Sequence, residues 1–378
     1  MMLGWTVVLC LPFMVAVQEI SARIGRVTGG GLAVTLRHHT PAWFSLAVVI
    51  LLAVANIINL GADVGAMADV SHLMFGAPAA MWAVAIAVIC ACSAIWIDYR
   101  HYVRVMKFLT LPLLAYFVLL FIVKTDWRAA LMGVLIPHVP RTRAGWTMVV
   151  AVFGTTISPY LFFWQAATEA EDELLLDDPR PLREHTDDAP GEMRRIGWDT
   201  WTGMIYSNLV ALAIIWGAAS TLHVHGILGI ETAAQAASAL GPVAGPYAMY
   251  LFGFGIIGTG LLAVPVLAGA VAYSVGEVRG WHVGLNRKAR DAVAFYVILA
   301  ASTFIGLLLA LSPLDPMRAL VGAAVVNGVV AVPLIVIITI LGMRQSVMGD
   351  LTLPRWLVVG GFASAVLMGV ASLAMVFL

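Results

Sequence analysis

The chain has 378 residues, of which 61% are hydrophobic and only 11% are charged, and its formal net charge is zero. Soluble domains are about half apolar and about one-quarter charged, so this composition excludes a water-soluble globular protein. The balanced charge also gives no indication of a nucleic-acid partner. We therefore expect a membrane protein.

Apolar stretches long enough to cross a bilayer recur along the whole chain. A hydrocarbon core about 30 Å thick requires about 20 apolar residues in a helix. Stretches nearly free of charged residues lie at approximately 2–18, 42–62, 77–97, 108–123, 144–168, 200–222, 247–276, 292–314, 319–343 and 356–378. Since nearly all other residues form short connections, we predict one transmembrane domain over 1–378 with an all-α polytopic fold.

The basic residues are distributed unevenly between these ten spans. The first, third, fifth, seventh and ninth connections hold most of them, and Lys and Arg concentrate in cytoplasmic loops. The odd connections are therefore assigned to the cytoplasm. A chain rich in Arg, Ala and Gly is typical of bacteria whose genomes are rich in G and C, so we expect the inner membrane of a bacterial cell.

Three polar side chains share one stripe of the second span and its extension, namely Asn56, Asn59 and Asp63. A carboxylate inside a membrane is costly and usually faces a cavity or a partner. We predict that Asp63 lines an ion or proton pathway with Asn59 beside it; a structural hydrogen bond is the alternative. Asp69 lies nearer the surface and is the weaker candidate.

The fifth span is interrupted near its middle by Gly-Thr-Thr-Ile-Ser-Pro-Tyr at 154–160. Pro159 has no N–H and clashes with the carbonyl of Thr155, so the backbone is expected to unwind. Transporters often bind substrate where helices are discontinuous at mid-membrane. Freed carbonyls and hydroxyls are hard oxygen ligands, which suit Mg²⁺, Mn²⁺ or Ca²⁺. Thr155 and Ser158 are therefore predicted metal ligands. The alternative interpretation of the segment is a simple proline kink without a bound ion. If an ion does bind, an alkali cation is also compatible with these ligands.

The longest polar segment runs from Glu169 to Asp199 and is strongly acidic. Blocks of charge usually form solvated connectors, so we predict an acidic cytoplasmic loop over 169–199 without a binding role. The alanine-rich stretch 223–246 predicts a short amphipathic helix on the outer surface. His223 and His225 are interpreted as polar loop residues, because no further metal-ligating side chain lies near them in the sequence.

The ninth span carries a polar residue, Asn327, six positions before Pro333. A buried amide in a span either bonds a neighbouring helix or faces a substrate cavity. Both interpretations stay open, and Asn327 is a secondary pathway candidate.

The segment from Gln18 to Gly29, which reads Gln-Glu-Ile-Ser-Ala-Arg-Ile-Gly-Arg-Val-Thr-Gly, resembles the one that follows the second helix of NRAMP family divalent metal transporters. Residues 154–165 resemble the family's sixth helix and 55–76 its third. The ten spans would then be family helices 2–11. The resemblance implies a LeuT-like inverted-repeat fold and transport of divalent metals, often together with protons. The family's first helix, with its Asp-Pro-Gly-Asn type motif, has no counterpart, so we expect the native protein to be longer.

The resemblance also assigns roles to single residues. Thr155 falls where the family has a carbonyl ligand, and Ser158 falls where it has a metal-binding methionine. Tyr160 replaces a histidine tied to proton movement, and Asp63 falls near a third-helix glutamate. Loss of the soft thioether weakens the preference for transition metals, so the chain resembles the divergent branch associated with Mg²⁺, with Mn²⁺ also suited. Loss of the histidine leaves proton coupling open.

The leading hypothesis is a secondary transporter of Mn²⁺/Mg²⁺-type divalent cations that works by alternating access in the lipid bilayer. The metal ion is the substrate, and no cofactor is expected. Two alternatives are a truncated, non-transporting remnant and a LeuT-fold carrier of amino acids. An enzyme is not expected, because the spans offer no convergent set of catalytic side chains.

Overall fold

The structure is a computed structural model that describes residues 3–97, 104, 108–123, 125–174, 180–223, 232–244, 246–313 and 315–377. Within these ranges the chain forms helices and no β-strand. The helices are α1 (Gly4–Thr28), α2 (Leu32–His39), α3 (Ala42–Phe75), α4 (Ala79–Trp96), α5 (Leu114–Ile122), α6 (Trp127–Leu135), α7 (Arg143–Thr156), α8 (Pro159–Glu173), α9 (Ala189–Ala218), α10 (Ala233–Ala244), α11 (Pro246–Arg279), α12 (Val293–Ala310), α13 (Pro316–Met343), α14 (Gln345–Met348) and α15 (Arg355–Phe377).

Nine helical segments in the described ranges are long and apolar enough to cross a membrane. They match nine of the predicted spans, and the remaining span, 108–123, contains the shorter apolar segment Leu111–Ile122. The first helix is longer than the predicted 2–18 and ends at Thr28. It continues through its charged residues because Glu19 and Arg23 form an i,i+4 ion pair of 2.7 Å.

The acidic loop predicted over 169–199 is wrong at both ends. Helix α8 continues to Glu173, and α9 already begins at Ala189. Glu169, Glu171 and Glu173 are buried rather than solvated. The helix continues because these carboxylates find partners within the fold: Glu169 pairs with Arg195 at 2.6 Å.

The helix predicted within 223–246 is present as α10, which covers Ala233–Ala244. The chain around His223 forms a short π-helical turn, Ala219–His223. The side chains of His223 and His225 lie outside the described residues, so their interpretation stays a prediction.

Two large hydrophobic clusters divide most of the helices into two groups. The first cluster joins α1, α2, α7, α13 and α15, and the second joins α4, α11 and α12. Helices α3 and α8 contribute to both clusters. In α8, Phe162 belongs to the first cluster while Tyr160 packs against the second. The junction between α7 and α8 therefore lies where the two groups meet.

Helices α7 and α13 approach each other closely at Gly154. A Cβ atom at this position would overlap the carbonyl oxygen of Ala324 and lie 2.6 Å from the backbone nitrogen of Gly328. Both neighbours are backbone atoms, which cannot rotate away. Glycine at 154 therefore sets the spacing between α13 and the end of α7.

Gly154→Ala is expected to destabilise the fold by about 1–3 kcal/mol, because the added methyl group overpacks a close helix contact. The measurement is thermal unfolding of the purified protein. Gly203→Ala is the matched control, since a Cβ at that helical position meets nothing within 4 Å. There alanine should be neutral or stabilising. Equal melting temperatures for the two variants would contradict the prediction.

Candidate functional site

The predicted interruption of the fifth span is confirmed. Helix α7 ends at Thr156 and α8 begins at Pro159, with Ile157 at φ −107°, ψ 65° and Ser158 at φ −95°, ψ 135°. These two residues have left the helical region, since ψ is positive in both. Because proline has no N–H, the carbonyl of Thr155 loses the partner that a continuous helix would supply.

The three hydroxyl groups at this break have different surroundings. The Thr155 hydroxyl donates to carbonyl oxygens one turn earlier, at 2.9 and 3.0 Å, and the Thr156 hydroxyl donates at 2.8 Å to the carbonyl of Val152. The Ser158 side chain is fully buried, and its Oγ has no hydrogen-bond partner in the described part of the chain. Buried hydroxyls are nearly always satisfied, so this oxygen is available to a ligand.

Helix α3 places its polar stripe in the interior of the bundle. Asn56 is fully buried, and neither its Oδ1 nor its Nδ2 has a partner among the described residues. Asn59 is also buried, and its Oδ1 is likewise unpartnered within those ranges. Asp63 is half-buried and interacts electrostatically with Tyr160 and Cys90. The structure therefore brings Asp63 together with the start of α8.

The ninth-span candidate, Asn327, belongs to α13 and is only 2% exposed. Its Nδ2 has no hydrogen-bond partner in the described ranges. The next residue, Gly328, contacts the backbone around Gly154, and α13 also packs along α3. Asn327 thus lies on a helix that packs against both the break and α3, whereas Asp69 lies further out and borders a small cavity with Met317.

A thiol adjoins the break as well. Cys10 of α1 is fully buried, and it shares a side-chain hydrogen bond with Thr156. The sequence does not single it out, because a cysteine in an apolar span ordinarily behaves as a small hydrophobic residue. Among the described residues no group of three or more His, Cys, Asp or Glu side chains could hold a metal ion. The oxygen atoms at the break come instead from backbone carbonyls and hydroxyls.

An ion-pair network lies at the far end of α8 and was missed by the sequence interpretation. Arg26 of α1 bonds Glu192 of α9 at 3.0 Å. Arg195 bonds Glu192 at 3.0 Å and Glu169 of α8 at 2.6 Å. This network joins three helices on the side that the charge distribution assigns to the cytoplasm. The i,i+4 spacing of Glu169 and Glu173, which places both on one face of the helix, is the signal that could have indicated burial.

The arrangement can offer oxygen ligands to a cation at the break, with the carboxylate of Asp63 within electrostatic range of the start of α8. Ser158 lies in the unwound segment and Thr155 lies in the last turn of α7 before it, while Tyr160, in the first turn of α8, is within electrostatic range of Asp63. A cation held by neutral oxygens is bound weakly enough to be released, which is a requirement for transport.

Comparison with known proteins shows similarity over the entire chain. The family model described as "Natural resistance-associated macrophage protein-like" matches residues 1–378. A divalent metal cation transporter, MntH, from Burkholderia ambifaria is 28% identical over 380 residues, covering 97% of this chain and 79% of the relative.

Solved structures show the same fold. The manganese transporter of Eremococcus coleocola, in complex with an aromatic bis-isothiourea substituted compound, superposes with a TM-score of 0.70 at 18% identity, over 98% of this chain and 79% of that one. Mhp1, a nucleobase-cation-symport-1 family transporter, gives a TM-score of 0.54 at 16% identity, over 99% of this chain and 85% of that one. The predicted all-α polytopic LeuT-like fold is confirmed.

Proposed function

The chain belongs to the natural resistance-associated macrophage protein-like (NRAMP) family, and from this premise we propose that it is a multi-pass inner-membrane transporter of divalent metal cations. The observation that carries the proposal is the break between α7 and α8. It supplies the carbonyl of Thr155 and the buried, unpartnered hydroxyl of Ser158 where two hydrophobic clusters meet. No cofactor is required for this role, since the metal ion is itself the substrate.

The ligand chemistry favours hard cations. Carbonyl and hydroxyl oxygens match the preference of Mg²⁺ and Mn²⁺ for oxygen ligands. Ser158 supplies no soft sulfur atom, so this position does not favour softer transition metals over Mg²⁺. We therefore propose Mn²⁺ and Mg²⁺ as the transported ions, and the name of the Burkholderia relative supports the divalent class.

The pathway is proposed to continue from the break toward α3. Asp63 attracts the cation or carries a proton, with Tyr160 as its contact, while Asn59 and Asn327 offer amide groups to a hydrated ion. Alternating access would move the two hydrophobic clusters against each other, because their shared helices, α3 and α8, carry Asn59, Asp63 and Tyr160. Whether protons accompany the metal is decided by the assay below, run with and without a pH gradient.

The test is uptake of Mn²⁺ and of Mg²⁺ into proteoliposomes. Ser158→Ala is expected to lower uptake at limiting metal by at least about tenfold, because the loss of a polar contact to a charged group costs about 1.5–3 kcal/mol. Ser364→Ala is the matched control: that serine is also fully buried, but its hydroxyl donates to Gly360 at 2.6 Å and lies on α15. Its uptake should stay close to that of the parent.

The alternatives give different results in the same assay. Metal-independent uptake of an amino acid would replace the proposal with an organic-substrate carrier. A folded chain that transports neither metal, even when extended by the sequence upstream of Met1, would favour a non-transporting remnant. Equal losses for Ser158→Ala and Ser364→Ala would remove Ser158 from the metal site.

A further inference from the structure

A polar cavity of about 170 Å³ lies between the end of α4 and the connection from α11 to α12. Its lining includes Trp96 and Ile97 from the first element and Asn286, Arg287 and Lys288 from the second. The odd-numbered connections are the basic ones, so this cavity opens toward the cytoplasmic side of the membrane. It is separate from the metal site at the α7–α8 break.

The cavity presents positive charge to its opening. Arg287 and Lys288 are both exposed. The Nε of Arg287 donates to the carbonyl of Val283 at 3.2 Å, which fixes the side chain and leaves its terminal nitrogens to reach an oxygen-rich ligand. A guanidinium fork beside an ammonium group is a common arrangement for binding phosphate.

The loop that carries these cations is held by buried hydrogen bonds. Glu171 of α8 accepts from the backbone N–H of Asn286 and from the hydroxyl of Tyr273. The N–H of Leu285 donates to the Tyr273 hydroxyl oxygen at 3.1 Å, and the Tyr296 hydroxyl donates to the carbonyl of Arg287 at 2.9 Å. The cavity is thus preformed, and a ligand can bind in it without any ordering of the loop.

Among the described residues two carboxylates lie near the cations, and neither neutralises them. Glu171 is 4% exposed, and its charge is directed at the backbone N–H and hydroxyl groups described above. Asp291 faces Arg290 at 3.8 Å, further along the connection. Arg287 and Lys288 therefore keep a net positive field at the cavity mouth.

The other wall of the cavity is suited to a lipid. Trp96, at the end of the membrane-spanning helix α4, is 76% exposed, which is typical of the aromatic belt at the level of the headgroups. About two turns deeper, Val88 and Ile89 expose apolar surface on the same helix. Basic pockets beside spans on the cytoplasmic side commonly bind anionic headgroups. We propose that this cavity binds the phosphate of an anionic phospholipid of the cytoplasmic leaflet, whose acyl chains lie along α4.

The experiment titrates the purified protein in neutral detergent with phosphatidylglycerol and follows the first bound lipid by native mass spectrometry. The double variant Arg287→Gln, Lys288→Gln is expected to weaken this binding about 25-fold, because each basic residue at the surface contributes about fivefold. The matched control is Arg344→Gln, Arg355→Gln, which removes two exposed arginines from another odd connection. It should leave the affinity of the first lipid nearly unchanged.

Three outcomes would overturn the proposal. Equal weakening by both double variants would mean general attraction to charge rather than a site. Equal affinity for phosphatidylcholine would mean that the anionic headgroup is not recognised. In the third outcome, inorganic phosphate stabilises the parent protein but not Arg287→Gln, Lys288→Gln. That result, together with no preference for phosphatidylglycerol, would assign the cavity to free phosphate. If the double variant unfolds in neutral detergent, Lys288→Gln alone should still weaken lipid binding about fivefold.

Discussion

Replacing Asp63 with asparagine is expected to lower Mn²⁺ uptake by about tenfold or more, since the loss of a charged partner costs about 1.5–3 kcal/mol. The substitution preserves shape and removes only the charge, so the fold should survive. A half-buried carboxylate inside a span lowers the stability of the fold, and its negative charge attracts cations that pass near it. The measurement is uptake into proteoliposomes, with thermal unfolding as the check on folding.

Helix α3 itself supplies the control for this prediction. Asp69→Asn makes the same chemical change nearer the outer end, beside a small cavity lined by Met317 rather than beside Tyr160. Its effect on uptake should be much smaller. If the two substitutions lower uptake equally, loss of a negative charge anywhere along α3 impairs transport. The prediction of a specific role for Asp63 is then wrong.

The electrostatic coupling between Asp63 and Tyr160 can be tested separately. If the two side chains act together, Tyr160→Phe should add little to the defect of Asp63→Asn, because groups in one network show non-additive effects. Independent roles would instead give multiplied defects. Repeating both measurements with an imposed pH gradient shows whether this pair carries protons or only attracts the metal.

Local chemistry explains why the break was predictable from the sequence. A proline in a span affects the residues immediately before it, so the non-helical backbone conformation at Ser158 follows from the neighbouring sequence alone. The apolar spans are equally local, since bilayer thickness fixes their length. The stripe of Asn56, Asn59 and Asp63 needed only helical periodicity. These features all arise within a single element.

Features that depend on packing between distant segments were not predictable in the same way. Nothing local indicates that Asp63 meets Tyr160, or that Cys10 reaches Thr156. The acidic segment shows the limit most clearly: a run of glutamates has the same sequence signature whether it is solvated or buried against arginines of other helices. Only the fold places Arg26 beside it and brings Arg195, which belongs to the segment itself, onto Glu169.

Removal of Arg26 should have the largest effect on stability. Its side chain is 3% exposed and bonds Glu192 at 3.0 Å, and its charge also acts on the buried Glu173. Arg26→Met keeps the length of the side chain, but it removes the cation that acts on Glu173 and leaves Glu192, within the described ranges, with Arg195 alone. Breaking a buried ion pair in this way costs about 3–5 kcal/mol, so we expect a large fall in melting temperature. The measurement is thermal unfolding in a neutral lipid or detergent.

Two further variants show whether charge, rather than lost packing, is the cause. Arg318→Met removes an arginine that is 85% exposed and paired with Asp315 at 3.0 Å, and such surface pairs contribute about 0–1 kcal/mol. Adding Glu173→Gln to Arg26→Met removes the buried carboxylate on which Arg26 acted and should recover part of the lost stability. If this second change recovers nothing, the defect of Arg26→Met comes from packing. If it recovers stability, the network holds α1, α8 and α9 together through charge. The network lies at the cytoplasmic end of the bundle, whereas α3 ends on the opposite side.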